Sequence, residues 1–263
     1  MVAVAHGSKD PRAAATVEEL VSAVRARRPG LPVLTSYLDH APPTPAGVLD
    51  GLAAGAAGGA GAAVVLPLLL TAAYHSKTDL PGALAQVRGR HPLLALHTAA
   101  TLGPHPLLMA ALERRLADAG VEIGDPDTAV VLVSAGSGDA SANATIAAMA
   151  REWRKRGWWD VVPAYASAAR PAPGEAVAAL REAGAPRVVV ASYFLAPGYF
   201  ADKVRHEALA AGACAVSPVL GAAPELAALV LRRYDEALDT AGGERTGPGG
   251  SPGSRGGGVL ATA

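Results

Sequence analysis

Val4-Ala5-His6-Gly7-Ser8-Lys9-Asp10 and Val133-Ser134-Ala135-Gly136-Ser137-Gly138-Asp139 are one turn written twice, 129 residues apart, each following a short apolar run. The correspondence continues down the chain. Tyr37 matches Tyr165 at an offset of 128, Leu70 through Tyr74 match Leu195 through Tyr199 at 125, and Leu102-Gly103 match Leu220-Gly221 at 118. An offset that only shrinks marks small loop deletions after a duplication, because connecting segments tolerate length changes that packed elements do not.

Between these matched points, apolar β-branched runs alternate with Ala- and Leu-rich amphipathic stretches, as when crossover helices cover both faces of a parallel sheet. Strands are expected near 2–5, 33–38, 63–70 and 93–97, then near 129–134, 160–165, 187–194 and 214–217. Helices follow the strands, among them Ala13–Arg28, Pro104–Ala119, Ser141–Arg156 and Ala223–Leu238. The expected fold is therefore α/β: two similar domains over 1–120 and 121–240, joined near Gly120–Asp127, each a four-stranded parallel sheet flanked by helices. Residues 241–263 hold nine glycines among Pro, Ser and Arg and are expected to form a disordered tail, since they cannot bury a core.

With 263 residues, 51% of them hydrophobic, the chain can bury a large core. Lys plus Arg and Asp plus Glu balance at 23 each, so no global field attracts nucleic acid or an anionic membrane. The single cysteine, Cys214, forms no internal disulfide and no all-cysteine metal site, which suits the reducing cytoplasm. Met1 runs directly into Val-Ala-Val-Ala-His6, so no export signal is expected. Leu52 to Tyr74 is 23 residues without a charge, long enough for a membrane span. Four glycines between Gly55 and Gly61, followed by Pro67, favour instead a helix, a turn and a buried strand.

Ligands of open parallel sheets bind beyond the carboxyl ends of the strands, so residues just past each strand decide function. His6, Asp39 and His75 occupy such places in the first half, and their counterparts are Ala135, Ser167 and Phe200. Taken singly, each of the three reads equally well as a polar group that satisfies the backbone. Their joint loss from the second copy favours a shared task. Two imidazoles and a carboxylate suit a borderline divalent ion and leave an open position for a substrate. His40, beside Asp39, is a secondary candidate that could substitute as a ligand, though on a strand its side chain points in a different direction. His91 and His206 read as surface residues, whereas His97 and His105 flank the fourth strand. Trp153, Trp158 and Trp159 read as packing between helix and sheet.

Ala5-His6-Gly7-Ser8 after an N-terminal strand, with Leu68-Leu69-Leu70-Thr71-Ala72-Ala73-Tyr74-His75-Ser76-Lys77-Thr78-Asp79-Leu80-Pro81 and Leu102-Gly103-Pro104-His105-Pro106, resembles the CbiX/SirB family of sirohydrochlorin chelatases. The resemblance spans roughly residues 1–238. It implies two flavodoxin-like half domains around a cleft, a chelatase-like fold. It also implies a lyase that inserts a divalent metal into sirohydrochlorin without ATP, for sirohaem or cobalamin biosynthesis. Fe²⁺ or Co²⁺ would be a substrate, with no further cofactor. His6 and His75 map onto the family's catalytic histidines, and His6, Asp39 and His75 onto its metal site. The family usually carries Glu where Asp39 stands, and the shorter side chain would reach the ion through water.

A polycarboxylate tetrapyrrole calls for cations at the cleft rim, which singles out Lys9, Arg12, Lys77, Lys203 and Arg205 together with Ser8. Each basic group reads equally as a solvated side chain, and Ser8 and Ser137 also read as helix caps. Asp79 reads as a cap of the following helix. The tetrapyrrole is the expected partner, with no nucleic acid and no membrane, and two fused halves make a monomer sufficient. The alternative is a non-catalytic metal or tetrapyrrole carrier. A neutral imidazole, with an unperturbed pKa of about 6.5, can bind metal or take a pyrrole proton, so the roles of the two histidines stay open.

Overall fold

The structure, a computed structural model, describes residues 1–55, 61–71 and 78–245. Its first half runs β1 (Val2–Ala5), α1 (Pro11–Arg27), β2 (Leu34–Tyr37), α2 (Pro45–Ala54), β3 (Ala62–Pro67), α3 (Leu80–Arg90), β4 (Ala95–Thr98) and α4 (Pro106–Asp118). The second runs β5 (Thr128–Ser134), α5 (Ala140–Arg154), β6 (Asp160–Tyr165), α6 (Pro173–Glu182), β7 (Arg187–Ser192), α7 (Tyr199–Ala210), β8 (Ala215–Val216) and α8 (Pro224–Arg245). Two parallel four-stranded sheets result, ordered β2-β1-β3-β4 and β6-β5-β7-β8. That is the start of the flavodoxin-like order, in which the chain reverses direction across the sheet between its first and third strands. The duplication extends to register: Ala5 pairs with Tyr37 and Ser134 with Tyr165.

Both faces of each sheet are covered, which is why the strands are apolar without alternation. Val2, Val4 and Val65 pack with Leu49, Leu80 and Leu84 of α2 and α3 on one outer side. Val131, Val133, Val188 and Val190 pack with Val177 of α6 and Val204 of α7 on the other. The opposite faces share one central core, where Ala3, Ala5, Leu66, Val130, Leu132 and Ala191 meet side chains of α1, α4, α5 and α8. Each fully buried Leu there contributes about 1.5–3 kcal/mol through apolar burial.

The last helix of each half leans on the other half: α8 packs against β3 and β4, and α4 against β7. Arginines lock the exchange. The Arg115 guanidinium on α4 donates to the Leu220 carbonyl from Nε at 3.0 Å and Nη2 at 2.8 Å. Arg233 on α8, 118 residues later, donates to the Thr101 carbonyl at 2.9 Å and the Leu102 carbonyl at 3.3 Å. Leu102 and Leu220 are themselves related by that offset, so the two halves grip one another reciprocally, as identical subunits do across a two-fold axis.

Several expectations shift. Helix α8 carries five residues into the stretch expected to be tail, reaching Arg245, because Ala241 extends the buried stripe of Ala237 by one more turn. Strands β3 and β7 end at Pro67 and Ser192, leaving Leu68–Leu70 and Tyr193–Phe194 as loop. The uncharged run from Leu52 divides between the end of α2 and β3, and no helix among the described residues is long and apolar enough to cross a membrane. Ser8 and Ser137 do not cap helices. Asp10 and Asp139 do, accepting from the Arg12 and Ser141 backbones at 2.9 Å, while the serine hydroxyls tighten the turn by accepting from the Asp10 and Asp139 N–H groups. Trp153 is fully buried, its indole N–H donating to Glu113 at 3.0 Å and its ring edge-on to Trp158, in keeping with a packing role.

Candidate functional site

The two points where strand order reverses face each other, and a cavity of about 640 Å³ lies between them. One wall is the turn after β1, His6 to Lys9, with the loop that follows β3 from Leu68 to Thr71. The opposing wall is the turn after β5, Ser134 to Ser137, with the segment from Tyr193 to Ala201 that leads into α7. Chain reversal at these points splays the following helices apart, which opens the crevice where such sheets bind ligands.

The first-half turn is held by backbone bonds. Asp39 N–H donates to the His6 carbonyl at 2.9 Å, and Leu38 N–H to Ala5 at 3.0 Å. Gly7, at φ +94°, leaves no room for a side chain, because a β carbon there would stand 1.8 Å from the Asp39 carbonyl oxygen. The outcome is an exposed His6 whose ring lies parallel to that of His40, 12° between planes and 6.3 Å between centroids. His40 holds a left-handed φ of +64°. Asp39 accepts the His40 N–H at 2.7 Å, and its other oxygen lies 3.4 Å from the His40 ring Nε2. His6 and His40 line the cavity; Asp39 does not.

The second half keeps this backbone and drops the chemistry. Gly136 sits at φ +81° against the Ser167 carbonyl, Ser167 N–H donates to Ala135 at 2.9 Å, and Ala168 repeats the left-handed turn at φ +56°. Ala135, Ser167 and Ala168 thus stand for His6, Asp39 and His40. An added brace appears here: Asn143 accepts from Ser137 N–H at 3.0 Å and donates to its carbonyl at 2.7 Å. Ala14 takes that place in the first half.

Among the other expected residues, Ser8 and Lys9 line the cavity. Arg12 is committed to Asp10 at 2.5 Å and, across the halves, to Asp202 at 2.6 Å, so it ties α1 to α7. Lys203 donates to the Ala166 carbonyl at 2.9 Å and Arg205 reaches the Val216 carbonyl at 3.5 Å; neither lines the cavity. His75 and Lys77 lie outside the described residues. Among the described residues no three His, Cys, Asp or Glu are grouped closely enough to hold an ion. His105 caps α4, its Nδ1 accepting from Leu107 N–H at 3.1 Å, and burial followed by the charges of Arg233 and Arg232 holds its pKa below the ordinary imidazole value.

Sequence reasoning underweighted the aromatic lining. Both phenylalanines of the chain, Phe194 and Phe200, line the cavity with Tyr193 and Tyr199. Tyr193 is buried, which raises its pKa, and its hydroxyl donates to the Leu70 carbonyl at 2.9 Å. Tyr199 and Phe200 are exposed and meet edge to face at 5.5 Å. The signal for Phe200 was the offset of 125, by which it corresponds in sequence to His75.

The sequence profile of CbiX matches residues 1–119 and 129–237, once in each half. The chain belongs to the CbiX family. Among the relatives of this family member, the sirohydrochlorin cobaltochelatase of Priestia megaterium is 27% identical over 249 residues, covering 90% of this chain and 79% of its own. The sirohydrochlorin ferrochelatase of Bacillus subtilis (strain 168) is 25% identical over 206 residues, covering 78% and 77%. In fold, the chain is similar to SirB from Bacillus subtilis with Fe³⁺, with a TM-score of 0.79 at 24% identity over 92% of this chain and 96% of that one. SirB in complex with cobalt gives 0.74 at 20% identity over the same shares.

Proposed function

We propose that this CbiX-family chain is a sirohydrochlorin chelatase, a lyase that inserts Fe²⁺ or Co²⁺ into the macrocycle without ATP. The carrying observation is the exposed His6 imidazole at one head of a 640 Å³ interdomain cavity, faced across the duplication by Ala135. The names of the relatives, cobaltochelatase and ferrochelatase, supply the substrate class.

Insertion exchanges one divalent ion for two pyrrole protons, so the site must strip water from the ion and receive protons. Neutral imidazoles serve both needs near pH 7. In this reading His6 and His75 work on the metal side of the ring, and Lys9, Lys77 and Ser8 meet its carboxylates. The aromatic wall of the second half, Tyr199 and Phe200, offers an apolar face for the macrocycle.

Purified protein mixed anaerobically with sirohydrochlorin and Fe²⁺, Co²⁺ or Ni²⁺ tests the proposal spectrophotometrically. Multiple turnovers above the spontaneous rate are expected with Fe²⁺ or Co²⁺. Stoichiometric binding of ion or tetrapyrrole without turnover would establish the carrier alternative instead.

A further inference from the structure

Resting on that chelatase reading, we propose that the group delivered to the ion by the loop after β2 is the His40 imidazole, and that Asp39 is the positioning residue behind it. Strand β2 ends at Tyr37, so by residue 40 strand alternation no longer sets side-chain direction. The left-handed turn at His40 swings its ring into the cavity beside that of His6, with nearly parallel planes. Asp39 is placed otherwise. Its carbonyl fills the space left by Gly7, its carboxylate grips the backbone and ring edge of His40, and it does not line the cavity.

A carboxylate behind an imidazole orients the ring, as it does for histidines that bind metal. Two imidazoles sharing one ion at metal–nitrogen distances of about 2.1 Å bring their centroids to about 5 Å. The present 6.3 Å separation closes with a small rotation of either ring, and both side chains are exposed enough to make it. The duplication carries an independent indication. Ala168 repeats the backbone of His40 at φ +56°, so the turn needs no histidine to form, and the imidazole is present only in the half that also has His6.

The test is Co²⁺ binding by the apo full-length chain, followed by visible absorption and competition, with sirohydrochlorin metallation measured separately. His40→Ala is safe for folding because the second half already carries alanine there; a thermal melt confirms it. His40→Ala is expected to weaken Co²⁺ binding and alter its ligand-field spectrum, by about tenfold or more in affinity. Asp39→Ser, the residue of the second half, is expected to weaken binding less and to add nothing in the His40→Ala background. Co²⁺ affinity and spectrum unchanged in His40→Ala overturn the assignment, as do independent, additive losses in the double variant. A wild-type chain that binds Co²⁺ through His40 yet never metallates sirohydrochlorin sinks the chelatase reading and leaves the assignment standing.

Discussion

The turn after β1 and the turn after β5 have the same backbone and opposite content. Both pack a left-handed glycine under a carbonyl one helix and one strand further along the chain, that of Asp39 or Ser167, and in both the residue after that carbonyl is left-handed, His40 or Ala168. In the second half the turn is braced by Asn143 and carries only Ala and Ser; in the first it carries His6, Asp39 and His40 and lacks the brace. The scaffold is thus dictated by packing, whereas the imidazoles are an addition the fold does not require. Fold and chemistry separate cleanly when one copy keeps only the former.

Substitutions that copy one half onto the other break or sharpen this contrast. His6→Ala reproduces Ala135 and is expected to lower the metallation rate by about 100-fold or more, with an unchanged melting temperature. Gly7→Ala and Gly136→Ala should each cost roughly 2–4 kcal/mol in urea unfolding, because a left-handed backbone and a carbonyl clash act equally in both halves. Only Gly7→Ala should also reduce Co²⁺ affinity, since it displaces Asp39 and His40. Arg115→Met and Arg233→Met should destabilise by similar amounts, about 1.5–3 kcal/mol each, as related charged donors to buried carbonyls. Clearly unequal losses would mean that the reciprocal grip is not the symmetric device it resembles.

The smallest effect concerns pH. His105 has a depressed pKa when folded and caps α4 through a neutral Nδ1, so the cap contributes fully above the unfolded imidazole value. It is lost as pH falls through the lower folded value. His105→Asn keeps a cap without titration and should remove up to about 1 kcal/mol of acid sensitivity. An unaltered stability–pH curve would remove the cap from this account.

The fold was largely legible because β-branched runs and conserved turn spacing follow from burial on both faces of a sheet. The duplication and the trio of positions His6, Asp39 and His75 came from one alignment of the chain with itself, whereas the strand order and register came from the structure. So did the crossed helices. Arg115 and Arg233 are related by the same offset as Leu102 and Leu220, but only coordinates reveal that each reaches into the other half. The side-chain direction of His40 was not legible, because strand alternation was extended past Tyr37, where β2 ends. The contacts of Lys203 and Arg205 with the Ala166 and Val216 carbonyls were not legible either, because they depend on how α7 packs against the sheet.

On the reading proposed above, metallation belongs to the first-half turn. Single-turnover cobalt insertion into sirohydrochlorin, compared among wild type, His6→Ala and His6→Ala with Ala135→His, tests it most directly. Rapid insertion by wild type and the background rate for both variants are expected, since residue 135 belongs to the half that has Phe200 and Ala168 where the first has His75 and His40. Wild-type speed in His6→Ala, or recovery on moving the imidazole to residue 135, would contradict it.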